Sequence, residues 1–406
     1  MDYTTRPPFP QAAGGRGREN RAFRADALGK GRSFCYNTAG KPCKEMERYM
    51  KLGIVGLPNV GKTTLFNALT GSQAETGSYT AANARPNIGQ AKVPDERLDW
   101  LAAYWHPKKY SPASIDFVDV PGVSSGGKGN EVFQAIRQVD ALVEVVRCFD
   151  NEDIFLEPAD AVRDAESFEL ELILADIEIV ERRLERAKKN AKGGDKKYRR
   201  EAEMCEALIA HLTEEKPARD FPFTDEDRDI LADGGLLTVK PVIYAANLDE
   251  EGMAHYADDA NFKALSDYAA KRGAAVLPVA AKFEEDLAGL DPDEAQMFME
   301  DLGLHETGLD RLIRTSYDLL GYISFLTAGE DDVHAWTIVR GTKAPKAAGK
   351  IHTDIERGFI RAEIVAFEDL KACGTMAAAK EKGLFRLEGK DYVMQDGDVT
   401  MFRFNV

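Results

Sequence analysis

Eight residues constrain this chain more than any other feature. Gly56-Leu-Pro-Asn-Val-Gly61-Lys62-Thr63 follows the short apolar run Lys51 to Val55 and precedes Thr64 to Leu69, which reads as the opening of a helix. Two glycines separated by four residues and followed by Lys-Thr, set between strand and helix, form a loop whose successive amides turn inward around phosphate groups. The amides of Asn59, Val60, Gly61, Lys62, Thr63 and Thr64 lie along that cradle, and the helix starting there presents the positive end of its dipole. Lys62 is placed to reach the terminal phosphates. The Thr63 hydroxyl is a candidate ligand for Mg²⁺, which takes hard oxygen donors.

Such a loop belongs to a domain in which strands and helices alternate. Ser114 to Asp119, Ala141 to Arg147, Val239 to Ala246 and Ala275 to Val279 are further short apolar runs with helical stretches between them. They predict an α/β, doubly wound, mostly parallel sheet covered on both faces. Leu170, Ile173, Ile177, Val180, Leu184 and Ala187 recur at spacings of three and four, and Tyr198, Ala202, Cys205, Ile209 and Leu212 repeat the pattern beyond Gly193-Gly194-Asp195. An antiparallel helical hairpin inserted in the sheet domain follows. After about Leu320, Trp336 to Val339, Phe359 to Ala366, Tyr392 to Met394 and Val399 to Phe404 read as strands of a compact α+β module. The expected organisation is a sheet domain over 50–150 and 236–320, the hairpin over 151–235 and the terminal module over 321–406. Residues 1–49 are rich in Arg, Gly and Pro and carry twice as many basic as acidic residues, so they read as a disordered extension ahead of the strand at Lys51.

At 406 residues the chain exceeds what one core sustains, about 250 to 300 residues. A net charge of −16 argues against a DNA-binding surface, although local basic faces such as the Lys188 to Arg200 hairpin tip remain available to a partner. No apolar run approaches the roughly 20 residues of a membrane span. The five cysteines have no metal or disulfide spacing, and with no signal peptide in view they indicate a reducing, cytoplasmic setting. A monomer is the expected state.

Three more segments stand at the carboxyl ends of the predicted strands, where open α/β sheets bind ligands. Asp119-Val-Pro-Gly122 has a carboxylate suited to holding magnesium through water and a glycine amide suited to sensing the last phosphate. Asn247-Leu248-Asp249-Glu250 stands where a purine-reading segment belongs, and Ala280-Ala281-Lys282 where a backbone loop closes over the base. The candidate set is therefore Lys62, Asp119 and Gly122 for catalysis, the loop residues with Asn247, Leu248, Glu250 and Ala281 for the nucleotide, and Thr63 and Asp119 for the metal.

Leu57-Pro-Asn-Val-Gly-Lys62, Val145-Val-Arg-Cys-Phe149, Asn247-x-x-Glu250 and the tail Ala347-Ala-Gly-Lys-Ile-His-Thr-Asp354 with Glu356-Arg-Gly-Phe-Ile-Arg361 together resemble the YchF/Obg-like ATPase family over residues 50 to 406. The resemblance implies a TGS domain of β-grasp type at the end, ATP preferred over GTP and association with the ribosome or translation factors; slow hydrolysis is expected from the departures at Asn83 and Glu144 described below. It also implies an apolar residue, here Val123, where related GTPases have a catalytic glutamine. Two alternatives stand beside the ATPase: a nucleotide-stabilised ribosome- or RNA-binding module with negligible turnover, and a GTPase.

Three departures from the family pattern bear on hydrolysis. Asn83 falls where a magnesium-completing threonine is expected, with Thr80 as a substitute if the loop shifts. The segment after Asp119 is shorter than in the family and carries Pro121. Glu144 occupies the place of a histidine proposed to assist hydrolysis, and a carboxylate near phosphate is a poor replacement for an imidazole unless it acts as a base on water.

Overall fold

The computed structural model describes residues 51–74, 86–122, 129–152, 154–193, 195–231, 235–301, 304 and 306–405. The expectations on residues 1–49, Thr80, Asn83 and Val123 lie outside the described residues.

The run Lys51–Val55 forms β1, buried at every position except the first, so it needs no polar alternation. The glycine-rich turn delivers it into α1 (Lys62–Thr70). There follow β2 (Asn87–Lys92), α2 (Glu96–Trp105), β3 (Lys109–Ser111), β4 (Ser114–Asp119), α3 (Gly129–Arg137) and β5 (Ala141–Arg147). The hairpin α4 (Ala161–Ala191) and α5 (Lys196–Thr213) and the short α6 (Asp225–Leu231) precede β6 (Val242–Asn247). Next come α7 (Glu250–Ala254), α8 (Ala260–Lys271), β7 (Ala275–Val279), α9 (Ala281–Leu287), α10 (Pro292–Asp301) and α11 (Gly308–Leu319). The terminal module contains β8 (Tyr322–Ala328), β9 (Asp332–Val339), α12 (Ala344–Ile351), α13 (Thr353–Arg357), β10 (Phe359–Ala366), α14 (Phe367–Cys373), α15 (Met376–Glu381), β11 (Arg386–Glu388) and β12 (Asp398–Phe404).

The first sheet has the order β2-β4-β1-β5-β6-β7, parallel except where β2 runs against β4. Strand parity divides its two faces. Ala141, Val143 and Val145 of β5 share a core with Leu65 and Phe66 of α1. Leu142 packs with Phe168 and Leu172 of α4, and Val146 with Leu265 and Ala269 of α8. Helices thus cover both faces, and the doubly wound α/β fold read from the sequence holds.

The hairpin closes on its own apolar seam, in which Ile173 and Val180 meet Met204, Cys205, Leu208 and Leu212. Its root is fixed by the buried Asp176 carboxylate, which accepts from the Leu237 amide at 2.7 Å, the Thr238 amide at 2.9 Å and the Thr238 hydroxyl at 2.7 Å. That attachment explains why β6 begins at Val242, not at the expected Val239: Thr238 is committed to α4 and Pro241 has no amide to give to a ladder.

The terminal strands form a second sheet, ordered β11-β10-β12-β8-β9 with β12 parallel to β8 and the remaining pairs antiparallel. In chain order this reads 4-3-5-1-2, the mixed arrangement that the β-grasp expectation requires. Tyr392 to Met394, expected as a strand, is a loop with a single bridge from Val393 to Lys343. Its apparent alternation arises because Met394 is buried in the terminal core while the Tyr392 hydroxyl donates to Asp398 at 2.9 Å.

The two modules are welded together. β3, from the first, pairs in parallel with β9 and extends the second sheet. Helix α2 lies in the junction, with the Trp100 ring edge-on to Phe367 at 5.6 Å. The Arg97 guanidinium forks between Asp95 and Asp396, at 2.8 Å from each. One apolar core runs through both modules, from Leu52 and Leu98 to Val365 and Val399. Replacing Arg97 with Met leaves Asp95 and Asp396 without their shared cation, so we expect a loss of about 1 to 3 kcal/mol in urea unfolding, with the terminal module released first. An unchanged, single unfolding transition would show that the apolar contacts alone hold the junction.

Candidate nucleotide-binding site

The phosphate-loop sequence is dictated by backbone conformation. Gly56 has φ 136°, Asn59 63° and Gly61 98°, values at which only glycine, and to a lesser degree asparagine, is relaxed. Space excludes side chains as well: a Cβ on Gly56 would stand 2.6 Å from the Val145 carbonyl oxygen, and one on Gly61 2.5 Å from Asn247 Nδ2. Gly61 also begins α1 with no side-chain cap, which leaves the first-turn amides facing the loop.

Four of the predicted residues converge on this turn. Lys62 is 7% exposed and donates from Nζ to the Leu57 carbonyl at 2.5 Å. Burial lowers its ammonium to about 8, against the opposing pull of Asp119. The Thr63 hydroxyl donates to Asp119 Oδ2 at 3.0 Å. Gly122 closes the group, since a Cβ there would stand 3.0 Å from both Lys62 Nζ and Pro58 Cα. The Thr63 hydroxyl and the Asp119 carboxylate are adjacent oxygen donors of the kind magnesium accepts, so the residues fit the ion the sequence implies. Thr64 is half-buried on the first turn of α1, Asn59 is exposed, and Val60 is buried beneath the loop.

The other end of the site rests on Asn247, 4% exposed at the close of β6. Its Nδ2 donates to the Val60 carbonyl at 2.9 Å and its Oδ1 accepts from the Ala281 amide at 3.0 Å. One side chain thereby joins the phosphate loop to the β7–α9 loop. Leu248 is buried among Cys148, Met253 and Tyr268, so most of it belongs to the core. Asp249 caps α7 by accepting from the Gly252 amide at 2.7 Å, and Glu250 is exposed in the first turn of that helix.

Sequence reasoning missed Asn87, whose Nδ2 donates to Asp119 Oδ2 at 3.4 Å. The antiparallel register that sets Asn87 opposite Asp119 belongs to β2, an edge strand with no apolar pattern to announce it.

Glu144 requires a correction. It was expected beside the phosphates, but on β5 it alternates with Val143 and Val145, which face α1, and so projects to the opposite side of the sheet. There it is 4% exposed, near Arg219 and Arg272 and beside Tyr244 and Tyr268. Glu169 of α4 completes the cluster, bonding Arg219 and accepting from Tyr268 at 3.3 Å and Arg272 at 3.4 Å. Burial raises the Glu144 carboxyl to about 8, with the two arginines opposing. A carboxyl whose folded value lies above its unfolded one favours folding while protonated, and that contribution is lost as pH rises from about 4.5 through 8. Glu144→Gln cannot ionise, so its melting temperature should exceed that of the natural chain at pH 8, with the gap closing toward pH 5. A gap independent of pH would mean that Glu144 is not the group titrating.

Comparison with known proteins agrees with this geometry. The family described as 50S ribosome-binding GTPase matches residues 51–181, and one described as a YchF-GTPase C-terminal protein of unknown function matches residues 322–405. The ribosome-binding ATPase YchF of Bacillus subtilis is 49% identical over 87% of this chain and 99% of its own length. Obg-like ATPase 1 of Oryza sativa subsp. japonica is 38% identical over 88% of this chain and 93% of its own. The solved structure of the Schizosaccharomyces pombe YchF GTPase superposes with a TM-score of 0.76 at 35% identity, covering 87% of this chain and 97% of that one. A phosphate loop, an inserted hairpin and a terminal module of matching sequence place the chain in the YchF/Obg-like ATPase family.

Proposed function

We propose that the chain is a magnesium-dependent ATPase of low turnover that couples nucleotide state to ribosome docking in the cytoplasm. The observation that carries the reading is the convergence of Lys62, Thr63, Asp119 and Gly122 on one glycine-constrained turn, joined by Asn247 to Ala281. In this reading the amides of Asn59 to Thr64 and the Lys62 ammonium bind and orient the β and γ phosphates. Thr63 and Asp119 would hold the magnesium ion, Asp119 through water, with Asn83 a further candidate ligand. The ion, when bound, neutralises charge that builds on the phosphate oxygens. The Gly122 amide is the candidate sensor of the γ-phosphate, and Lys62 would stabilise the charge that develops there. Val123 is apolar and cannot orient water, so turnover should be about one per minute or slower.

The Bacillus subtilis relative named above as ribosome-binding, and the basic residues at the hairpin tip from Lys188 to Arg200, support a ribosomal partner for a chain whose overall charge is −16. In addition, none of the described helices is long and apolar enough to cross a membrane.

Three measurements test the reading. Lys62→Ala removes the cation of the cradle and should weaken ATP binding by about a hundredfold or more by calorimetry; natural affinity in that variant would sink the assignment. The acid–base behaviour of Lys62 gives the second. With its ammonium at about 8 in the free protein, ATP affinity should fall as pH rises from 7 through 9, up to about tenfold per unit once the lysine is neutral, and a flat profile would show that the buried ammonium keeps its ordinary value.

Base preference gives the third. Guanine recognition in switch GTPases needs a carboxylate accepting from the ring N1–H and the 2-amino group together, and Asp249 Oδ1 already accepts from the Gly252 amide of α7. A nonhydrolysable ATP analogue should therefore bind about tenfold more tightly than its guanine counterpart. Preference for guanine would overturn this part of the reading.

A further inference from the structure

Glu284 lies one helical turn beyond the base-side loop, and nothing in the phosphate chemistry uses it. It is 4% exposed, on the buried side of α9. One carboxylate oxygen accepts from the Leu309 amide in the first turn of α11 at 2.8 Å. The other accepts from the Ala280 amide at 3.4 Å, reaching back to the start of its own helix, where Ala280 offers no side-chain cap. The contact is built closely: Gly308 has room for no side chain, since a Cβ would stand 2.5 Å from Glu284 Oε1 and 2.8 Å from the Pro278 carbonyl.

Two helix starts therefore share one carboxylate, and both lead somewhere specific. The Ala281 amide, next to Ala280, is the donor that fixes Asn247. Helix α11 buries Leu312 and Ile313 in the core common to both modules. At its far end the Tyr317 hydroxyl bonds the Ile323 carbonyl at 3.2 Å, the Ser324 hydroxyl at 2.8 Å and the Thr337 hydroxyl at 3.0 Å, all on β8 and β9. The path from base-side loop to terminal sheet is one carboxylate and one helix long.

We propose that Glu284 is a positioning residue for the base-side loop, and that through α11 it transmits occupancy by a purine, as distinct from occupancy by phosphate alone, to the terminal sheet. The inference rests on the nucleotide reading of the site. A loop held by Glu284 presents the Ala281 backbone in one geometry, and a base packed on that loop restrains the first turn of α11 in return, because coupling between two sites is reciprocal. The phosphate loop is linked to Glu284 through Asn247, which bonds both Val60 and the Ala281 loop, so phosphate binding should feel the carboxylate less than base binding does.

The test compares ATP with inorganic tripolyphosphate on the full chain. In Glu284→Gln one of the two amides faces an NH₂ group where it had an oxygen, so ATP affinity should fall by about tenfold, the equivalent of one hydrogen bond. Tripolyphosphate affinity should fall by much less. Equal weakening of both ligands, or of neither, would overturn the proposal. Hydrogen exchange on the natural chain supplies an arm that needs no variant: ATP should slow exchange at the amides of residues 309–313, and tripolyphosphate should not. Equal protection by the two ligands contradicts the inference alone. Failure of ATP to bind more tightly than tripolyphosphate overturns the inference and the nucleotide reading together.

Discussion

The site depends first on a backbone turn that only glycine can make at two positions. Gly56 and Gly61 hold φ values of 136° and 98° and lie against the Val145 carbonyl and the Asn247 amide. Those contacts seat the turn directly on the ends of β5 and β6, so the loop is held by the sheet and not by its own length. Every other functional group is placed relative to it: Lys62 folds over the loop, Thr63 meets Asp119 from β4, and Asn247 ties the loop to β7. A cradle of this kind costs little to reorganise when phosphates arrive, because the glycine conformations that shape it are already in place.

The same rigidity reaches the terminal module by two routes. Helix α2 and strand β3 weld it to the first domain through Arg97, Trp100 and the β3–β9 pairing, while α11 runs into it from the base-side loop. Asp119 and Gly122 lie in the chain between these anchors, and Asn87, bonded to Asp119, lies just ahead of α2. A change at the phosphates is therefore bracketed by elements that already touch the other module, which suits a nucleotide switch better than a free-standing hydrolase.

Much of this was legible in the sequence, for identifiable reasons. β1, β4, β5 and β7 were read because strands covered on both faces are apolar runs, and the hairpin because Ile173, Val180, Cys205 and Leu212 keep helical spacing. β2 and β3 were not, since an exposed edge strand and a three-residue strand carry no pattern; their positions are set by partners distant in sequence. Glu144 was misread because place in the linear order says nothing about face. The valines on either side of it, both turned toward α1, are the signal that sends it to the other side. Glu284 escaped notice because a buried carboxylate shared by two helix starts has no spacing motif.

The central claim is that the turn at Gly56 to Thr63 binds the triphosphate, with Thr63 and Asp119 serving the metal. A crystal structure of the chain with a nonhydrolysable ATP analogue and magnesium tests it most directly. The account predicts that Lys62 Nζ leaves the Leu57 carbonyl for the β and γ phosphates, that the Thr63 hydroxyl turns from Asp119 to the ion, and that the purine lies between the Asn247 and Ala281 loops. Nucleotide bound elsewhere, with the Lys62–Leu57 and Thr63–Asp119 bonds still in place, would contradict it.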